Sequence, residues 1–74
     1  MCAISGIIGL EATHETVKKM LHTMRRRGPD ANGVFQEENT TLLHTRLAVI
    51  YLQGGHQPMV LTHAGETYVM IYNG

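Results

Sequence analysis

Only one stretch of this chain carries the period of a helix, and it stops abruptly. Val17, Met20, Leu21 and Met24 recur at i, i+3, i+4 and i+7, which makes a single apolar stripe. Thr13 is placed to cap the helix, and Glu15 falls in the first turn, where negative charge suits the dipole. Arg25, Arg26 and Arg27 follow at the other end, where positive charge is favoured. Gly28 then has the place of a C′ residue and Pro29 that of a stop. The pattern predicts one helix over 14–27, with Lys18, Lys19 and His22 on its solvated side.

The rest of the chain reads as strands and turns. Residues 3–10 form a short apolar run with two glycines, too short for a second helix and rich in β-branched side chains. Gly6 and Gly9 suggest close backbone approach or a bulge. Residues 33–36 and 40–45 are strand-like around the polar turn Glu37-Glu38-Asn39, and His44 and Arg46 fall on one side. An apolar run covers 47–52, broken by Gln53-Gly54-Gly55, and Pro58 predicts an irregular stretch after it. Residues 66–72 form a last strand, apolar at alternate positions on both faces, as in a central strand between two layers. One helix cannot cover both faces of such a sheet. The chain therefore reads as part of a layered α+β domain.

Size and composition narrow the function. A chain of 74 residues is at most one small domain, and its single cysteine excludes an internal disulfide. A formal net charge of +0 argues against nucleic acid or an anionic membrane as partner. A hydrophobic content of 43% argues against disorder. There is no apolar run of transmembrane length and no secretory signal pattern, so the expected compartment is the cytoplasm. The five histidines show no metal-ligand spacing, and no metal site is expected. The phosphate-binding glycine loops GxGxxG and GxxxxGK[ST] are absent from the sequence.

Three positions carry candidate chemistry. Removal of Met1 would leave Cys2 with a thiol and a free α-amine. Such an amine ordinarily titrates at about 7.7–8.0 and can act as an internal base. Retention of Met1 would turn that nitrogen into an amide and exclude the mechanism. The other reading of Cys2 is a small buried apolar residue on the first strand. Arg46 is either a bidentate clamp for a carboxylate or an ordinary edge-strand arginine. Asn73-Gly74 offers a side-chain amide beside a backbone N–H, which suits an oxyanion hole, or forms an Asn-Gly turn. His44 is expected to be packed or hydrogen-bonded beside Arg46.

Together these segments resemble one family. Met1-Cys2-Ala3-Ile4-Ser5-Gly6-Ile7 is similar to the start of class II, N-terminal-nucleophile glutamine amidotransferases. Arg27-Gly28-Pro29-Asp30-Ala31-Asn32-Gly33 resembles the RGPD-x-x-G segment of their asparagine synthetase branch. His44-Thr45-Arg46-Leu47-Ala48-Val49-Ile50 and Gly54-Gly55-His56-Gln57-Pro58-Met59 resemble its HTRLSI and GGxQPM segments. Residues 68–74 resemble the strand that ends in the NG of NGEIYN. The motifs run in family order from end to end of the chain. Other class II branches differ in the arginine loop, where glucosamine-phosphate synthases carry an RGYDSAG-like form.

The resemblance implies that residues 1–74 are the N-terminal part of a class II amidotransferase domain. The fold implied is a partial N-terminal-nucleophile (Ntn) hydrolase αββα sandwich, with one helix and about four to five strands. The activity implied is hydrolysis of glutamine to glutamate and ammonia. Cys2 would be the nucleophile, and Asn73 and the N–H of Gly74 the oxyanion hole. Arg46 would hold the substrate α-carboxylate, and the backbone around Val49 and Ile50 would line the pocket. No cofactor is implied for this segment. ATP and Mg²⁺ belong to a separate synthetase domain that takes up the ammonia. Ala3 stands where the family has glycine and Tyr51 where it has aspartate, and a phenol cannot replace a carboxylate acceptor. The family's next glutamate and its substrate-gripping aspartate fall beyond residue 74. The expectation is a half-built site, inactive alone, in an enzyme fragment, a catalytically inactive remnant or a self-associating module, with another class II amidotransferase branch as a further alternative.

Overall fold

The computed structural model describes residues 2–47 and 56–73. In chain order the elements are β1 (Ala3–Ile8), α1 (His14–Met24), β2 (Ala31–Glu37), β3 (Thr40–Arg46), β4 (Met59–His63) and β5 (Glu66–Met70). They form an antiparallel three-stranded sheet of order β1-β3-β2 and an antiparallel hairpin β4-β5. This is the α+β arrangement expected of a partial Ntn sandwich.

The helix begins where the sequence predicts. Thr13 is the N-cap, and its Oγ1 accepts the Thr16 N–H at 3.2 Å. It ends earlier than predicted, at Met24, because residues 25–27 tighten into i→i+3 turns. There Arg25 N donates to His22 O at 3.3 Å, and Arg27 N donates to Met24 O at 3.1 Å. The apolar stripe meets the sheet as its spacing requires. Val17 is buried with Ala12 and Leu43, and Ile7, Met20, Leu21 and Met24 pack around them. Polar bonds fix the seat: Thr45 Oγ1 donates to Met24 O at 3.2 Å, and Gln36 Nε2 donates to Ala12 O at 2.7 Å.

Register divides the sheet into two faces. Ser5, Leu43 and Val34 stand in one row, beneath the helix. The neighbouring row, Gly6, Leu42 and Phe35, faces the other way, as do His44 and Gly33. The β4-β5 side of the molecule lies over that second face. A cavity of about 410 Å³ there is lined by Phe35 and Leu42 from one sheet and Thr67 and Val69 from the other. The helix thus covers one face of the three-stranded sheet, and the hairpin meets the other side along this open cavity. Two sequence expectations fail here. The stretch after Pro58 is a strand, not irregular: proline precedes its first residue, so the missing N–H costs no ladder bond. Residues 66–70 pair only with β4 among the described residues, so this strand is an edge of a hairpin and not a central strand. The hairpin turns at Ala64 and Gly65, both at positive φ, as a two-residue type I′ turn requires. Among the described residues no helix is long and apolar enough to cross a membrane.

Gly28 has a different role from the helix C′ residue expected of it. A Cβ there would run into the backbone of Thr45 and Arg46. The glycine lets the chain after the helix lie flat against the end of β3. Gly28→Ala is expected to destabilise the fold by about 2–3 kcal/mol, since backbone and not a flexible side chain must yield. Urea denaturation of the variant against wild type checks it, and an unchanged midpoint would contradict the close approach.

Candidate functional site

The site is assembled at one end of β3, on the face away from the helix. His44 and Arg46 alternate with Thr45 and so share that face. Both are buried, at 1% and 8% exposure. Strand β1 runs antiparallel beside β3 with Ala3 opposite Thr45. Extending that register by one residue sets Cys2 across from Arg46. Cys2 is itself buried, at 6% exposure. A thiol and a guanidinium separated by more than forty residues in sequence thus fall opposite one another at the end of adjacent strands when that register is extended.

The turn after the helix holds both of them. Arg27 Nε donates to the carbonyl oxygen of Cys2 at 3.1 Å. Asp30 N donates to the carbonyl of Arg46 at 2.9 Å, and Pro29 forms a parallel bridge with Arg46. Residues 27–30 therefore grip the main chain of the candidate nucleophile and of the candidate carboxylate clamp together. From sequence, Arg27 reads as a dipole match at a helix end and as the first residue of the RGPD-x-x-G segment, with no contact assigned to it. Its position immediately before Gly28-Pro29 was the available signal, because it marks the arginine that must leave the helix.

The third part of the site comes from the hairpin side. Gly33 of β2 leaves room for the Gln57 carbonyl, which a Cβ would meet head-on. Gln57 Oε1 in turn accepts the Tyr72 N–H. The Tyr72 carbonyl lies 3.0 Å from His44 Nε2. A carbonyl can only accept, so Nε2 carries the proton and Nδ1 is the acceptor of the neutral ring. Asn73 follows directly and is exposed. The structure therefore brings Cys2 and Arg46 together by register and ties the segment bearing Asn73 to the same face through His44. Val49, Ile50 and Gly74, and also Met1 and Tyr51, lie outside the described residues. His44 is packed and hydrogen-bonded, as expected. Gln57 gave no sequence signal beyond its motif. Among the described residues, no three His, Cys, Asp or Glu side chains group as metal ligands would.

His44 is held neutral. Burial disfavours the imidazolium and moves its pKa below the ordinary 6.5; the bond to Tyr72 opposes this shift and the Arg46 charge reinforces it. Between the folded and unfolded values the unfolded chain binds the proton first, so stability rises with pH across that window. Above the ordinary value His44 contributes no pH dependence. Stability is expected to fall as pH drops below about 6.5 and to level off once the folded-state ring is protonated. Urea midpoints across pH 4–8 for wild type and His44→Gln isolate this contribution, and parallel profiles would contradict it.

A family model described as a glutamine amidotransferase domain matches residues 1–74. Among curated proteins, the chain is 41% identical to "Asparagine synthetase [glutamine-hydrolyzing] 3" of Bacillus subtilis over 78 residues. It is 38% identical to "Probable asparagine synthetase [glutamine-hydrolyzing]" of Dictyostelium discoideum and 32% identical to "Asparagine synthetase B [glutamine-hydrolyzing]" of Escherichia coli, each over 78 residues. All three alignments cover 100% of this chain, but only 13%, 14% and 14% of the respective relatives. No solved structure matches it.

Proposed function

The chain belongs to the glutamine amidotransferase domain family, and from that premise we propose that it carries the leading half of a glutaminase site in an asparagine synthetase-like protein. The carrying observation is that Cys2 and Arg46 are both buried at the end of the β1-β3 ladder, one residue beyond the Ala3–Thr45 pair, with residues 27–30 holding the backbone of both. Cys2 Sγ attacks the side-chain carbonyl carbon of glutamine. The α-amine of Cys2, free once Met1 is removed, takes the thiol proton and passes it to the departing nitrogen, which leaves as ammonia. The Asn73 amide and the N–H of Gly74 hold the tetrahedral oxyanion. Water then cleaves the γ-glutamyl thioester to glutamate and restores the thiol. Arg46 binds the substrate α-carboxylate through two parallel N–H bonds, and the backbone at Val49 and Ile50 lines the pocket. A synthetase domain outside this segment receives the ammonia and uses ATP and Mg²⁺ to activate aspartate.

Glutamate release from glutamine by the full-length gene product tests this scheme. Cys2→Ala is expected to abolish it. Arg46→Ala should raise KM by roughly 10- to 100-fold, the value of a charge-assisted pair, with less effect on kcat. The 74-residue chain alone should release no measurable ammonia. Full activity in Cys2→Ala would sink the proposal.

A second reading, self-association, is favoured by the hairpin surface. Val60, Leu61, Tyr68 and Met70 are all exposed, Leu61 at 64% and Tyr68 at 56%. Apolar side chains clustered on one small hairpin favour being covered, and the edges of a two-stranded sheet offer further pairing. Sedimentation velocity of the 74-residue chain at rising concentration is expected to show dimers or larger species. A single monomeric boundary with no hydrophobic-dye binding would rule this out.

A further inference from the structure

Tyr72 takes no part in the chemistry above, yet side chains from two other segments hold its backbone. Its N–H donates to Gln57 Oε1, and its carbonyl accepts from His44 Nε2. It lies beyond the end of β5 at Met70, past the last rung of the β4-β5 ladder, Met59 opposite Met70.

The geometry of these two bonds is more than a general tether. A peptide unit is rigid and planar. The Tyr72 N–H belongs to the plane shared with Ile71, and the Tyr72 carbonyl to the plane shared with Asn73. Gln57 and His44 therefore pin two consecutive planes on either side of one Cα. That fixes both soft dihedrals of Tyr72 and the direction in which the chain enters Asn73. The two clamps are themselves anchored. Gln57 is seated by the docking of its carbonyl over Gly33, and His44 is buried in β3 two residues from Arg46 on the same face. One strand thus supports the carboxylate clamp directly and the Asn73 segment through an imidazole.

We propose that His44 and Gln57 are positioning residues, which aim Asn73 at the reacting carbonyl by clamping the two peptide planes that flank Tyr72. The inference rests on the reading of Asn73 as an oxyanion donor. A misaimed donor weakens the transition state and leaves the carboxylate grip intact, so kcat suffers and KM does not. A residue that merely supports the fold has no reason to divide its effect in that way.

The test uses the full-length gene product and two pairs of variants. Gln57→Leu and His44→Leu remove the clamping atoms at similar volume. Gln57→Glu keeps an acceptor, and His44→Gln keeps an amide donor near the position of Nε2. The leucine variants are expected to lower kcat for glutamine hydrolysis by about 10- to 100-fold, short of the loss on removing a whole donor, with KM within about twofold. The Glu and Gln variants should recover most of the loss. Hydrogen exchange at the Tyr72 amide should quicken in Gln57→Leu and return in Gln57→Glu. Unchanged kcat in both leucine variants, or equal losses in leucine and rescue variants, would overturn the proposal. If His44→Leu fails to fold, the Gln57 pair decides. If wild type hydrolyses no glutamine, the glutaminase reading falls, and the clamp is judged by exchange alone. Protection of Tyr72 lost in Gln57→Leu and regained in Gln57→Glu then sustains it, and an unprotected Tyr72 in wild type overturns it.

Discussion

Strand β3 is the constraint from which the rest of the structure follows. It is laddered on both edges, by β1 and by β2. It is covered on one face by α1, and its other face is tied to the segment after β5 through His44. Its far end is closed by the turn at 27–30. A strand so enclosed gains by pairing the polar groups it buries, and in β3 the Thr41 hydroxyl is the buried side-chain group left without a partner among the described residues. The sequence Thr41-Leu42-Leu43-His44-Thr45-Arg46 is unusually polar for that position, and its bonds are what orient its neighbours. Thr45 takes the Met24 carbonyl and so sets where the helix ends. His44 takes the Tyr72 carbonyl and so sets where the last described segment runs.

The electrostatics of that face follow from the same enclosure. Arg46 brings a guanidinium onto that buried face, and burying charge is costly. An imidazolium two residues away would add a second buried positive charge on the same side. Burial and Arg46 together keep His44 neutral. Among the described residues Arg46 is then the buried cation of that face, and His44 is a ring that serves as a hydrogen-bond donor. That suits recognition of a single carboxylate better than a diffuse basic patch would, and it is compatible with a chain of no net charge.

Much of the fold was legible, and the gaps have specific causes. Helix period, the Thr13 cap and the hairpin turn at 37–39 depend on residues a few positions apart, so they can be read locally. The pairing of Cys2 with Arg46 depends on register between distant strands, which no local pattern encodes. Gly28 after a helix has the same local signature whether it adopts a left-handed cap or makes room for a neighbouring strand; only the strand decides. Three arginines at a helix end satisfy the dipole equally well, so only the Gly28-Pro29 that follows separates Arg27 from the others. The strand at 59–63 was hidden by Pro58, whose effect depends on whether it falls inside a ladder or just before one. Cys2, Arg46 and Asn73 stood out through their motifs. His44 lies in the same segment as Arg46 and Gln57 in the GGxQPM-like one, but the bonds they make are to a main-chain segment that sequence cannot place.

The bond from Arg27 to Cys2 bears on the order of events in making such a site. Arg27 holds the carbonyl of Cys2, an atom on the C-terminal side of that residue. Cutting the peptide bond before Cys2 alters only its nitrogen. The latch is therefore the same before and after processing, and the strand need not rearrange when an amine is unmasked. Removal of Met1, as the proposed mechanism requires, would change one functional group and leave the frame around the thiol as it is.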